Sequence, residues 1–158
     1  MATTVRVRDD DVLVRGRVGP AAFYRVHEII VKNGGVHVPA ILCKTIMDFP
    51  EAIEFIKHEA LQGRMKPELH GWDHIDYGTL SEAELNVDLK RCVTWFKDYL
   101  WTEPSVFYTP WGANSVLIRG VAARYGMKVV DCSKAISPTR LVDEPESYNK
   151  LMELSVHW

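Results

Sequence analysis

Glu68-Leu69-His70-Gly71-Trp72-Asp73-His74 holds two histidines four residues apart, around a glycine, at the end of a short apolar run. Alone, that spacing says little; its place in the chain says more. Upstream, Arg8-Asp9-Asp10-Asp11-Val12 sets three acids at the end of an alternating stretch that reads as the first strand, residues 5–9. Downstream, His157 ends what reads as the last strand, residues 151–157. Two histidines and a carboxylate form a facial set of metal ligands with positions left open for water, as a hydrolytic metal site needs.

Outward from this stretch, strand-like and helix-like segments alternate. A helix over residues 20–32 begins on Pro20, carries Phe23, Val26, Ile29 and Ile30 as its apolar stripe, and stops at Gly34-Gly35. A strand over 36–43 follows. The next helix starts after Asp48, with Pro50 in its first turn and Ile53, Ile56, Ala60 and Leu61 on one face, and closes at Gly63. Residues 67–70 form the third strand. Ser81 and Glu84 make a capping box for a helix over 81–101 with Leu85, Leu89, Cys92, Val93, Phe96 and Leu100 at helical spacing. A fourth strand, 105–109, leads to Pro110-Trp111-Gly112. Asn114 can cap a helix with Leu117, Val121 and Tyr125 in its stripe, ended by Gly126. The fifth strand covers 127–131, and 137–149 reads as a loop.

Strands alternating with helices of this length imply parallel strands and right-handed crossovers, in either a doubly wound sheet or a barrel. In both, chemistry gathers at the carboxyl ends of the strands. Here those ends hold Asp9 to Asp11, Lys44, His70 to His74, Pro110-Trp111-Gly112, Asp131 and His157, so nearly all the unusual polar residues fall on one rim.

The 158 residues favour a single domain, 1–158, with one core. A net charge of -2 and the lack of a Lys/Arg cluster argue against nucleic acid as partner. Cys43, Cys92 and Cys132 are odd in number and never form a CxxC pair, which argues against a disulfide framework and a thiolate-held zinc. No apolar leader core and no transmembrane run occurs, which gives the expectation of a cytoplasmic chain without a membrane partner. The sequence carries no signal for oligomeric state.

The order of these features resembles the NodB-homology polysaccharide deacetylases, carbohydrate esterase family four. It covers nearly the whole chain: an acidic pair after the first strand, His-x-x-x-His after the third, an aromatic-Gly turn after a later strand, and a Leu-x-x-His near the end. The resemblance implies a distorted (β/α) barrel of parallel strands, shortened here. It also implies a metal-dependent hydrolase that removes acetyl groups from N-acetylated sugars, with metal-bound water as nucleophile.

Carried over by motif, the resemblance makes Asp10 the general base and Asp11 a metal ligand, the alternative register being Asp9 and Asp10. His70 and His74 match the metal-binding histidines, and His157 the general acid. Phe107-Tyr108-Thr109-Pro110-Trp111-Gly112 matches the family's Arg-Pro-Pro-Tyr-Gly turn, so the Trp111 N–H would help hold the oxyanion. Tyr108 stands where that turn carries an arginine, which in the family pairs with the catalytic aspartate; Lys44 or Arg8 are the candidates to replace it. The family's Asp-x-x-Asp-Trp segment is not found, and Asp131 is its nearest match. Leu154-Ser155-Val156-His157 is one residue longer than the family's Leu-x-His. His₂-carboxylate ligation suits Zn²⁺, and Co²⁺ or Ni²⁺ fit the same donors.

The chemistry is coherent on its own terms. An amide is a poor electrophile with a poor leaving group. Its hydrolysis needs an activated water, a base to take the proton, an acid for the departing amine and donors for the oxyanion. Trp72, beside the histidines, is either core packing or a platform on which a sugar stacks, and Trp111 can play the same part. Trp95 and Trp101 read as packing, and His27, His37 and His58 as structural or surface residues. Two competing functions use the same residues: hydrolysis of a non-sugar amide, and a catalytically inactive glycan-binding module.

Overall fold

The computed structural model describes residues 6–10, 12–13 and 20–130. The strand expected over 151–157 and the loop before it lie outside the described residues. Five strands form one sheet: β1 (Arg6–Asp9), β2 (Val36–Leu42), β3 (Glu68–Gly71), β4 (Val106–Tyr108) and β5 (Lys128–Val130). Every neighbouring pair is parallel, and the order across the sheet is the order along the chain. A doubly wound sheet reverses direction at a switch point; this one never does. Each crossover therefore steps the same way, and the sheet curls into half of a shortened (β/α) barrel.

Side-chain pattern explains the sheet. β2 lies between two neighbours and is buried along nearly its whole length, as a central parallel strand must be. Pro39, which has no N–H to give, sits where β2 finishes its register with β1 and begins pairing with β3. Ile41, Leu69 and Phe107, from β2, β3 and β4, are fully buried at the centre. Burial of side chains of this size stabilises by about 1.5–3 kcal/mol each.

The helices are α1 (Pro20–Lys32), α2 (Cys43–Ile46), α3 (Pro50–Leu61), α4 (Glu82–Trp95) and α5 (Val116–Arg124). In α1 the expected stripe of Phe23, Val26, Ile29 and Ile30 is buried, and His27 joins it. α2 was not expected. Its two apolar residues, Cys43 and Ile46, are both buried at helical spacing, so the strand stops one residue early, at Leu42. In α3 the inward face is Ala52, Ile53, Ile56 and Glu59, while Leu61 is 67% exposed, so the apolar face predicted through Leu61 is rotated. α5 corrects in the same way: it buries Ile118, Val121 and Ala122, and the cap is Ser115, whose hydroxyl accepts from the Ile118 N–H, not Asn114.

α4 opens on the predicted capping box of Ser81 and Glu84. The helix expected over 81–101 runs without interruption from Glu82 to Leu100. Its last turn, Phe96–Leu100, widens to π geometry and ends on Trp101 in the left-handed region, φ 54°. Trp95 is buried as expected, whereas Trp101 lies on the surface with the Lys57 ammonium over its ring.

Candidate metal centre at the carboxyl ends of the strands

β1 delivers the acidic run. Asp9 is buried, and its Oδ2 lies 3.5 Å from Nε2 of His37 on β2. Asp10 is half-buried, with its Oδ1 3.0 Å from Nε of Arg8. Asp11, Asp131 and His157 lie outside the described residues.

β3 delivers His70, which is buried. Its Nδ1 lies 2.5 Å from the backbone carbonyl of Tyr108 on β4. A carbonyl only accepts, so Nδ1 carries the proton and Nε2 is the lone-pair nitrogen. A backbone carbonyl behind one ring nitrogen fixes the tautomer that a metal-ligating histidine needs. His74 follows three residues past the strand. The two imidazole centroids are 5.4 Å apart. Two imidazoles on one tetrahedral ion, with nitrogen–metal distances near 2.1 Å, bring their centroids to about 5 Å, so the pair fits a shared divalent metal. Among the described residues no third histidine, cysteine or carboxylate completes a metal-sized cluster with them.

The loop that carries His74 is pinned from below. Gly71 sits at φ +128°, and a Cβ there would collide with the ring of Tyr77. Tyr77 is fully buried. Its hydroxyl accepts from the Trp72 N–H at 2.9 Å and donates to Asp88 Oδ2 at 2.5 Å. Burial, with the nearby Cys92 thiol and the Asp88 carboxylate, pushes the Tyr77 hydroxyl far above the ordinary phenol range, so it remains a donor. Asp88, buried on α4, also takes a hydrogen bond from Arg91, whose guanidinium lies 4.4 Å above the Trp72 ring. One face of Trp72 is therefore covered.

On the rim, Lys44 Nζ lies 2.5 Å from Asp73 Oδ2, and its own N–H bonds the Trp72 carbonyl at 3.0 Å. The Lys44 hydrogen bond, with the His74 N–H, holds the Asp73 carboxyl below its usual range. Trp111 is 71% exposed in the left-handed region, φ 58°, and its indole meets the His74 ring in a T-shaped contact with centroids 5.1 Å apart. Tyr108 is half-buried beneath the Arg8 guanidinium, 4.6 Å from its ring centroid. Burial raises its hydroxyl pKa and Arg8 opposes the rise.

Of the predicted residues, the fold thus brings His70, His74, Trp72, Trp111 and Lys44 into one connected set, and Asp10 and Tyr108 into another that shares the Tyr108 backbone with His70. Tyr77 and Asp88 were not anticipated. One signal was available: Asp88 interrupts the Leu85–Leu89–Cys92 stripe, and a carboxylate inside an apolar stripe needs a buried partner.

A second buried polar group lies elsewhere. His27 Nε2 is 2.9 Å from Glu59, which also takes two hydrogen bonds from Arg64, at 2.6 and 2.7 Å. It borders a groove of about 740 Å³ between α1 and α3 that shares no residue with the histidine pair.

A family model for polysaccharide deacetylases matches residues 12–130. No curated protein sequence matches the chain. Among solved structures it is similar to a family 4 carbohydrate esterase from Streptomyces lividans in complex with acetate, at 16% identity and TM-score 0.64, over 80% of this chain and 61% of that one. A CE4 family pseudoenzyme from Bacillus anthracis gives 15% identity and TM-score 0.65, over 81% and 42%. A family 4 acetyl xylan esterase from Clostridium thermocellum, in complex with a cobalt ion, gives 15% identity and TM-score 0.62, over 75% and 54%. The chain therefore spans less than two thirds of each of these proteins.

Proposed function

Because this chain belongs to the polysaccharide deacetylase family, we propose that it is a metal-dependent hydrolase that removes an acetyl group from an N-acetylated sugar or polysaccharide. The observation that supports this reading is His70: its Nδ1–H is committed to the Tyr108 carbonyl, which suits Nε2 to the part of a ligand nitrogen, with His74 beside it. In this reading His70, His74 and Asp11 hold a divalent metal, Zn²⁺ by ligand type with Co²⁺ or Ni²⁺ as alternatives. When bound, such an ion makes water nucleophilic near neutral pH and polarises the acetyl carbonyl.

The chain's own groups do the rest. Asp10, held by Arg8, takes the proton of the attacking water. The Trp111 N–H takes the part of oxyanion donor that the family's turn implies, since a donor placed before the reaction stabilises that charge without reorganisation. His157 gives a proton to the departing amine. The exposed Trp111 ring offers an apolar face to a pyranose, and Lys44 with Asp73 lines the same rim. Asp131 is the remaining candidate.

The test is acetate release from a panel of N-acetylated and O-acetylated saccharides and simple acetamides, with Zn²⁺ or Co²⁺ added. Release that disappears in His70→Ala supports the reading, and full activity in that variant removes it. The inactive glycan-binding module stays as a second reading, because Tyr108 replaces the family's arginine; it predicts saccharide binding with no acetate released at any metal concentration.

A further inference from the structure

Of the ten large apolar side chains exposed among the described residues, six stand at the carboxyl-end rim of the sheet: Met47, Ile75, Trp111, Val116, Leu117 and Val130. Single exposed apolar residues are ordinary on a protein surface; a run of them on adjacent loops is not. Apart from Met47, all lie at or after the ends of β3, β4 and β5, three neighbouring strands, so they share about 10 Å of rim. The loops after β3 and β4 touch: a Cβ on Gly78 would lie 3.8 Å from that of Ala113. The T-shaped contact of Trp111 with His74 joins this side of the rim to the histidine pair. No charged residue occurs between Thr109 and Ile118, and Asp76 is turned back onto the Gly78 N–H. Val116 is 77% exposed in the first turn of α5, whose buried face is made by Ile118, Val121 and Ala122, so the core does not require it. The ions lie on the other side of the rim, with Arg8 and Asp10 at β1 and Lys44, after β2, paired with Asp73. The rim is thus charged on one side and apolar on the other, with His70 and His74 at the border.

We propose that this border selects an amphipathic substrate: a saccharide that carries a hydrocarbon chain, with the sugar on the charged side and the chain along Trp111, Val116 and Leu117. The inference rests on the reading of the rim as a saccharide hydrolase site and narrows its substrate class. The uncharged segment 109–118 buries a hydrocarbon chain without stripping an ion of its water. A wholly hydrophilic saccharide gains nothing from Val116 and Leu117, whereas a ligand with both parts uses both sides of the rim.

The test measures Kd on the full chain for the methyl, butyl and hexyl glycosides of N-acetylglucosamine, each below its micelle concentration. Half-burial of the chain on an open surface gives about twofold per methylene, so the hexyl glycoside binds about 30-fold tighter than the methyl one. The double variant Val116→Ser, Leu117→Ser flattens the series to within about threefold and leaves the methyl glycoside unchanged. Val87→Ser, on the outer face of α4 and 65% exposed, keeps the full series. Melting temperatures confirm that each variant is folded. Equal affinities across the series in wild type, no binding of any glycoside, or a preference that survives the double variant overturns the proposal. So does a flat series accompanied by self-association, or by binding to neutral phosphatidylcholine vesicles, that the double variant abolishes; the rim then meets a second copy or a membrane. A chain-length preference without acetate release keeps the inference and removes the hydrolase reading. Acetate release with no chain-length dependence does the reverse.

Discussion

Tyr77→Phe removes one oxygen and nothing else from a fully buried ring, so it isolates the hydrogen bonds beneath the His74 loop. That oxygen has two partners, the Trp72 N–H at 2.9 Å and Asp88 Oδ2 at 2.5 Å. Leaving each buried group unsatisfied costs about 1–3 kcal/mol. Asp88 keeps Arg91 as a partner, which softens its share, so the expected loss is about 2–4 kcal/mol in total. For a domain of this size that lowers the melting temperature by about 5–15 °C. Thermal unfolding followed by circular dichroism reads this directly. Tyr99→Phe is the control, because Tyr99 is largely exposed and stacks on Trp95; it should stay within about 0.5 kcal/mol of wild type. If Tyr77→Phe is as mild as Tyr99→Phe, the hydroxyl does not pin the loop and the reasoning fails.

Two further outcomes follow from the same structure. The Glu59 carboxyl is lowered from 4.5 to about 2, first by the Arg64 hydrogen bonds and then by His27. Its stabilisation is fully present above its unfolded value and is lost as pH falls through about 2. Burial lowers the His27 pKa below 6.5, so the folded state favours neutral His27 and loses stability as pH falls from 6.5. Urea unfolding against pH should therefore show two descending limbs in acid. Glu59→Gln should lose about 2 kcal/mol at neutral pH, discounted for the part-exposed Arg64, and lack the lower limb; an unchanged lower limb contradicts the assignment. Trp111→Ala should leave the melting temperature nearly unchanged, because the ring is exposed. It should raise KM or Kd for saccharide about 2- to 10-fold by loss of stacking; an unaltered affinity would show that the ring is not a platform.

The parallel α/β class and the rim that gathers the polar residues were legible because they rest on period and on turn residues. Phe23, Val26, Ile29 and Ile30 announce α1, and Ser81 with Glu84 announces α4. The choice between a doubly wound sheet and a barrel was not legible from the alternation, because strand order depends on which way each crossover steps. The misread face of α3 has a physical cause: Glu59 points inward, held by His27 and Arg64, and an apolar count cannot see a buried carboxylate whose partner lies on another element. His27 and Asp88 likewise join the buried faces of α1 and α4 as polar groups. The turn of α2 was hidden because Cys43 and Ile46 also read as the end of an apolar strand. The His70–His74 pair was found by spacing; the Tyr108 carbonyl that selects the His70 tautomer comes from a residue 38 positions away and leaves no local mark. The Arg8–Tyr108 contact likewise needs the curl of the sheet before it exists.

Metal binding by the full chain, prepared without chelator and then titrated with Zn²⁺ and Co²⁺ by calorimetry and elemental analysis, tests the central claim most directly. The account predicts about one equivalent of divalent metal per chain, as one mononuclear site requires, lost in both His70→Ala and His74→Ala while their folds persist. A wild-type chain that takes up no metal, or variants that bind as well as wild type, would contradict it.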